Sequence, residues 1–166
     1  MGLAEAIILS IIAASTPLLL AAAGELVVER AGVLNLGIEG MMIVGAACGF
    51  VGAHLSGSIL IGAFLGLIGG VALSAVFALL AFGFAVNQVA TGLALTIIGV
   101  GASGLIGADF IGVRIAPTPQ LHIPLLTDIP FIGPILFGHD LFVYFSIMLV
   151  AGIWWFLSFP RAGLVL

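Results

Sequence analysis

Gly24-Glu25-Leu26-Val27-Val28-Glu29-Arg30-Ala31-Gly32-Val33-Leu34-Asn35-Leu36-Gly37-Ile38-Glu39-Gly40 is the stretch on which the reading of this chain turns. It holds three of the seven acidic residues and one of the three basic ones, with apolar runs on both sides. In that setting a polar, glycine-punctuated segment is either a solvated connection between spans or a broken helix beside a pathway.

The surrounding composition sets the solvent. The 166 residues are 63% hydrophobic and 6% charged, with a mean hydropathy of +1.46. Soluble domains carry roughly 25% charged residues, so this material cannot build a soluble surface. Backbone polar groups in hydrocarbon must pair internally, which leaves helices or a closed barrel. The apolar runs are continuous rather than alternating, which selects helices. The expected class is therefore all-α, a polytopic transmembrane helical bundle of about five spans. A net charge of −4 and the absence of lysine exclude a basic nucleic-acid face. The single Cys48 cannot form an intrachain disulfide and reads as a small apolar side chain. The N-terminus lacks the basic segment of a cleaved signal peptide, so the first apolar run reads as a retained span.

A span needs about 20 mostly apolar residues. The first is expected over Leu3–Ala23, with Ser15-Thr16-Pro17 inside it. Hydroxyls beside a proline can re-satisfy the carbonyls it frees. Met41–Ala53 is too short to cross alone. The second span is therefore expected to borrow residues from the central stretch, back to about Gly32. That would put Asn35 and Glu39 on one helical face. The turn 54–58 ends it. The third span covers about Ile59–Phe82. Gly45-x-x-x-Gly49 and Gly62-x-x-x-Gly66 have the spacing that lets helix backbones approach closely. The fourth runs over about Asn87–Gly107. A connection over 108–140, with five prolines between Pro117 and Pro134, reads as a cap on the membrane surface. The fifth span, about Leu141–Phe159, has Trp154 and Trp155 near its end, where aromatic belts occur. Four spans separate Arg30 from Arg161, so the two share a side. The positive-inside tendency makes that side cytoplasmic and the cap extracytoplasmic.

Ionisable groups within spans are costly, about 2.5–3.5 kcal/mol at a helix centre, and so tend to pair or to line cavities. Two groups of polar residues, of which only Glu39 is ionisable, are placed to do the same. Asn35 and Glu39 lie before the second apolar run; Asn87, Gln88 and Thr91 open the fourth span, with Thr96 and Ser103 further along. Each set is either structural, through caps and interhelical hydrogen bonds, or part of a solute pathway. Glu25, Glu29 and Glu39 leave a further alternative, cation sites of an ion-coupled carrier or channel. His54, His122 and His139 are scattered, without metal-ligand spacing. No nucleophile, metalloprotease or phosphate-binding motif is present, so no catalytic residue is named.

Against this background, residues 29–42, Glu-Arg-Ala-Gly-Val-Leu-Asn-Leu-Gly-Ile-Glu-Gly-Met-Met, closely resemble a signature of permease subunits of bacterial ABC importers. The resembling class is that of ribose, galactose and nucleoside permeases, distantly similar to branched-chain amino-acid permeases. Within it, the stretch most resembles the subfamily paired with basic-membrane-protein-type nucleoside-binding lipoproteins. Its signature falls here on Glu29, Arg30, Gly32, Asn35, Gly37, Glu39 and Gly40. Asn87-Gln88-Val89-Ala90-Thr91-Gly92-Leu93-Ala94-Leu95 resembles a second family element. Residues 123–130 with 133–137 resemble the outer segment before the fifth span. The chain departs from the family before Asn87, where Phe84-Ala85-Val86 lacks the usual basic residue.

The resemblance implies a multi-pass protein of the bacterial cytoplasmic (inner) membrane that imports nucleosides or related sugar-containing solutes. It implies a second permease subunit, cytoplasmic ATPase subunits and an extracytoplasmic substrate-binding protein as partners. ATP and Mg would bind on the ATPases, with no cofactor on this chain and no enzymatic activity of its own. Asn35, Glu39, Asn87, Gln88 and Thr91 would supply polar groups to the substrate pathway. Residues 161–166 match only the approach to the family's ATPase-docking loop. Residues 1–166 are thus expected to be the N-terminal part of a permease domain, truncated before that loop; a non-transporting truncated membrane chain is the remaining alternative.

Overall fold

The computed structural model describes residues 3–115, 118, 133 and 137–166. Every extended element among them is helical. In chain order these are α1 (Leu3–Arg30), α2 (Ile38–Ser56), α3 (Ile59–Ala78), α4 (Gln88–Gly107), α5 (Leu141–Ser158) and the short α6 (Arg161–Val165). A π-helical turn, Leu79–Gly83, prolongs α3, and a 3-10 turn, Ala108–Phe110, follows α4. Five of the helical stretches are long and apolar enough to cross a membrane. The expected cap over 108–140, its prolines, His122 and the outer segment at 123–130 fall largely outside the described residues.

The bounds of the first two spans differ from the sequence expectation. The first helix does not stop at Ala23 but runs on through Glu25, Glu29 and Arg30. It ends where Gly32 takes a left-handed φ of 78°, a conformation that costs glycine little. The second span does not reach back to Gly32. It takes only Ile38–Gly40 from the central stretch and gains His54, Leu55 and Ser56 from the expected turn. Gly57, with φ 67°, closes it in the left-handed region. The break in the central stretch is thereby confined to residues 31–37.

The chain forms two compact units, residues 1–31 with 117–166, and residues 32–116. In the first unit α1 packs on α5, and α6 folds back on the end of α5. Thr16 is buried on α1, and its hydroxyl donates to the Ile12 carbonyl at 2.9 Å, as does that of Ser15 at 3.1 Å. Both hydroxyls thus meet Ile12 rather than Ala13, whose carbonyl is the one deprived by the missing Pro17 N–H. Ala13, Thr16 and Pro17 border a cavity of about 230 Å³ that Asp140 and Val143 also line. Asp140 caps α5, its Oδ1 accepting from the Val143 N–H at 3.1 Å.

In the second unit α2 packs against both α3 and α4. The two small-residue pairs face each other antiparallel. A Cβ on Gly66 would meet the Gly45 carbonyl oxygen at 2.8 Å, and one on Gly62 the Gly49 oxygen at 2.7 Å. Backbone-to-backbone packing of this kind replaces the hydrophobic driving force that lipid does not supply. Met41, Phe77, Ala81 and Leu95 form the core of the unit, with Val33 and Leu73 against it. Outward lie Leu60, Phe64, Leu67, Ile97 and Leu105, all more than half exposed. Apolar surface on that scale requires lipid or further helices to cover it.

Candidate functional site

The connector 31–37 and the first half of α4 form the polar centre of the second unit. Asn35, expected on a helical face with Glu39, is not in a helix. It is buried, and its Oδ1 accepts from the Gly37 N–H at 2.9 Å, a short side-chain turn that leads into α2. Its Nδ2 donates to Met41 Sδ at 3.6 Å. Glu39 lies in the first turn of α2, where the helix dipole favours an acidic residue. It is exposed and makes no hydrogen bond or ion pair among the described residues. The two side chains therefore do not share a face, because the backbone turns at Gly37 between them.

Asn87 is exposed and caps α4, its Oδ1 accepting from the Ala90 N–H at 3.1 Å. Thr91 is buried, and its hydroxyl donates to the Asn87 carbonyl at 2.8 Å. Gln88 reaches out of its helix: its Oε1 accepts the Leu34 N–H at 3.0 Å. Of the five residues expected at a pathway, Asn35 and Gln88 both engage the connector. Glu39 stands one residue before the α2–α4 crossing, and Asn87 and Thr91 organise the start of α4.

Three further residues make the contact. The Thr96 hydroxyl donates to the Leu36 carbonyl at 2.9 Å. Gly92 lies directly under the connector, where a Cβ would fall 2.7 Å from Leu36 N and 2.8 Å from Gly37 N. One turn beyond Thr96, Gly99 meets Gly40, and a Cβ on Gly99 would lie 2.5 Å from Gly40 Cα. Gly92, Thr96 and Gly99 recur at helical spacing on one face. That stripe of small residues with a hydroxyl is the signal in the sequence that marks the face, and it was legible beside the more obvious amides.

The remaining signature residues sit nearby in the chain. Glu29 and Arg30 are exposed in the last turn of α1, Arg30 placed favourably for the helix dipole. His54 stacks edge-on against Phe110, ring centroids 5.5 Å apart. Among the described residues no three His, Cys, Asp or Glu side chains come together as metal ligands do.

Residues 7–166 match the family described as branched-chain amino acid transport system / permease component. The chain belongs to that permease family. It is 38% identical over 168 aligned residues to a putative glucose ABC transporter permease protein of Haloferax volcanii, covering 99% of this chain and 51% of that protein. It is also 34% identical over 171 residues to a guanosine ABC transporter permease protein of Bacillus subtilis, covering 92% of this chain and 53% of that one. The chain thus spans about half the length of the curated relatives it matches. No solved structure matches it significantly. Family membership and five membrane-competent helices make this a multi-pass membrane protein.

Proposed function

We propose that this chain is the N-terminal part of a permease subunit in an ATP-driven importer of nucleosides or related sugar-containing solutes. The observation that carries the reading is the family match over residues 7–166, with relatives named for glucose and for guanosine. In this reading a second permease subunit completes the pathway, and an extracytoplasmic binding protein delivers the solute. Cytoplasmic ATPases bind ATP and Mg, so this chain holds no cofactor and catalyses no reaction. Its part is alternating access, in which the pathway opens first to one side and then to the other.

Asn35, Glu39, Asn87, Gln88 and Thr91 are proposed to set the polar character of the path. Sugar hydroxyls and base edges need partners with donors and acceptors, which amides supply. In this reading the labour is divided. Asn35 and Thr91 have polar atoms bonded within the unit and shape the backbone. The exposed Glu39 carboxylate, the Asn87 amide nitrogen and the Gln88 Nε2 donors make no bond among the described residues and are left for solute or water.

The test is uptake by the full-length protein reconstituted with its partner subunits. Labelled guanosine or glucose should accumulate only with ATP and a functional ATPase. Accumulation driven by an ion gradient alone would instead favour a carrier and refute the importer reading.

A further inference from the structure

We propose that Gln88, Gly92 and Thr96 clamp the connector to α4 so that the two travel as one body through the transport cycle, with Thr96 the positioning residue. This rests on the importer reading above. Three features of the contact support it. The residues lie at i, i+4 and i+8 on a single helix face. What they hold is backbone: the Leu34 N–H, the Leu36 carbonyl and the peptide between Leu36 and Gly37. Gly92 brings the two chains too close for any side chain, since a Cβ there would strike Leu36 N, Leu36 C and Gly37 N, all within 3.0 Å.

The clamp also continues into helix packing. Gly40 and Gly99 touch one turn beyond Thr96, so the connector and the start of α2 are held along α4 from Gln88 to Gly99, about 16 Å of helix. Glu39 immediately precedes Gly40, and Asn87 immediately precedes Gln88. The clamp therefore fixes the spacing between the two exposed groups proposed for the path. Alternating access proceeds by movement of packed bodies about bistable contacts. A break in the helical chain would ordinarily be a hinge, but here its second half, Leu34 to Gly37, is tied to a neighbouring span. A hydroxyl donating across 60 residues of sequence to a backbone carbonyl is the tie that can be removed with least change of volume.

The experiment uses the full-length protein with its partner subunits in nanodiscs, comparing wild type with Thr96→Val, Thr96→Ser and Gly92→Ala. Two quantities are read, amide hydrogen exchange over residues 34–37 and the KM and maximal rate of ATP-dependent uptake. Loss of one hydrogen bond should open the connector about two- to tenfold more often. Thr96→Val is expected to speed exchange there by that factor, to leave α5 unchanged and to lower the maximal rate with little change in KM. Thr96→Ser is expected to restore both quantities, and Gly92→Ala to exceed Thr96→Val in both. Unchanged exchange in Thr96→Val would overturn the clamp. Faster exchange with an unchanged maximal rate, or no rescue by serine, would overturn its positioning role. Wild-type protein that shows no ATP-dependent uptake would refute the importer reading and the positioning role with it, while the exchange data would still report whether the connector is tied.

Discussion

Replacing Gly99 by alanine tests the packing on which the candidate site is built. The added methyl would lie 2.5 Å from Gly40 Cα, 2.7 Å from its oxygen and 2.8 Å from its carbonyl carbon. All three are backbone atoms, so no side chain can swing aside. Carbon atoms rest about 3.5–4.0 Å apart, so α2 and α4 must part by about 1 Å at the crossing. Overpacking of this kind costs about 1–3 kcal/mol, and a gap of that size also forfeits a quarter to a half of each neighbouring dispersion contact. Alanine's higher helix propensity works the other way, by up to about 1 kcal/mol. Gly101 and Gly104 isolate that opposing term, because a Cβ on either meets nothing within 4 Å. The assay is unfolding of the full-length protein in mixed micelles, with all three variants measured side by side. Gly99→Ala should be the least stable by about 1–3 kcal/mol relative to the other two. Equal stability of the three would refute the close crossing of α2 and α4, and with it the placement of the connector.

Asn87→Ala should cost about 0.5–2 kcal/mol by uncapping α4, whereas Asn87→Asp keeps the acceptor and the stability; if the amide donors meet solute, uptake falls in both. Glu39→Gln should leave unfolding within about 0.5 kcal/mol of wild type, since the carboxylate is exposed and unbonded, yet reduce uptake if the group faces the path. Asp140→Ala removes the N-cap of α5 and is expected to cost about 1 kcal/mol in the same unfolding assay, with Asp140→Asn largely restoring it. Gly57→Ala forces a left-handed conformation on a residue with a Cβ and should cost about 1–2 kcal/mol, seen as a lower unfolding midpoint.

The spans were legible because continuous apolar runs in so uncharged a chain have one outcome, and the small-residue pairs of α2 and α3 were legible because their spacing is a packing rule. The ends of the spans were not. Glu25, Glu29 and Arg30 look like loop residues by polarity, but a helix tolerates them on its last turns, and only the glycine at position 32 stops it. The expectation that Asn35 is helical rests on the need to lengthen Met41–Ala53. The chain found that length in Ile38–Gly40 and His54–Ser56 instead, and used Asn35 to turn the backbone. At the candidate site the amides announce themselves, whereas Gly92, Thr96 and Gly99 show locally only as a stripe of small residues, and which backbone that stripe meets is a matter of long-range proximity. The polar residues can be picked out by position alone; which atoms they address depends on two distant segments meeting.

The uninterrupted course of α1 has a consequence for how the molecule meets its bilayer. At 1.5 Å per residue, Leu3–Ala23 measures about 31 Å, close to the roughly 30 Å of hydrocarbon in a typical membrane. The seven residues from Gly24 to Arg30 then add about 10 Å of rigid rod beyond it. With Leu3–Ala23 filling the hydrocarbon, their two carboxylates and one guanidinium would stand on a stiff post at headgroup level, where they can anchor the helix against vertical sliding.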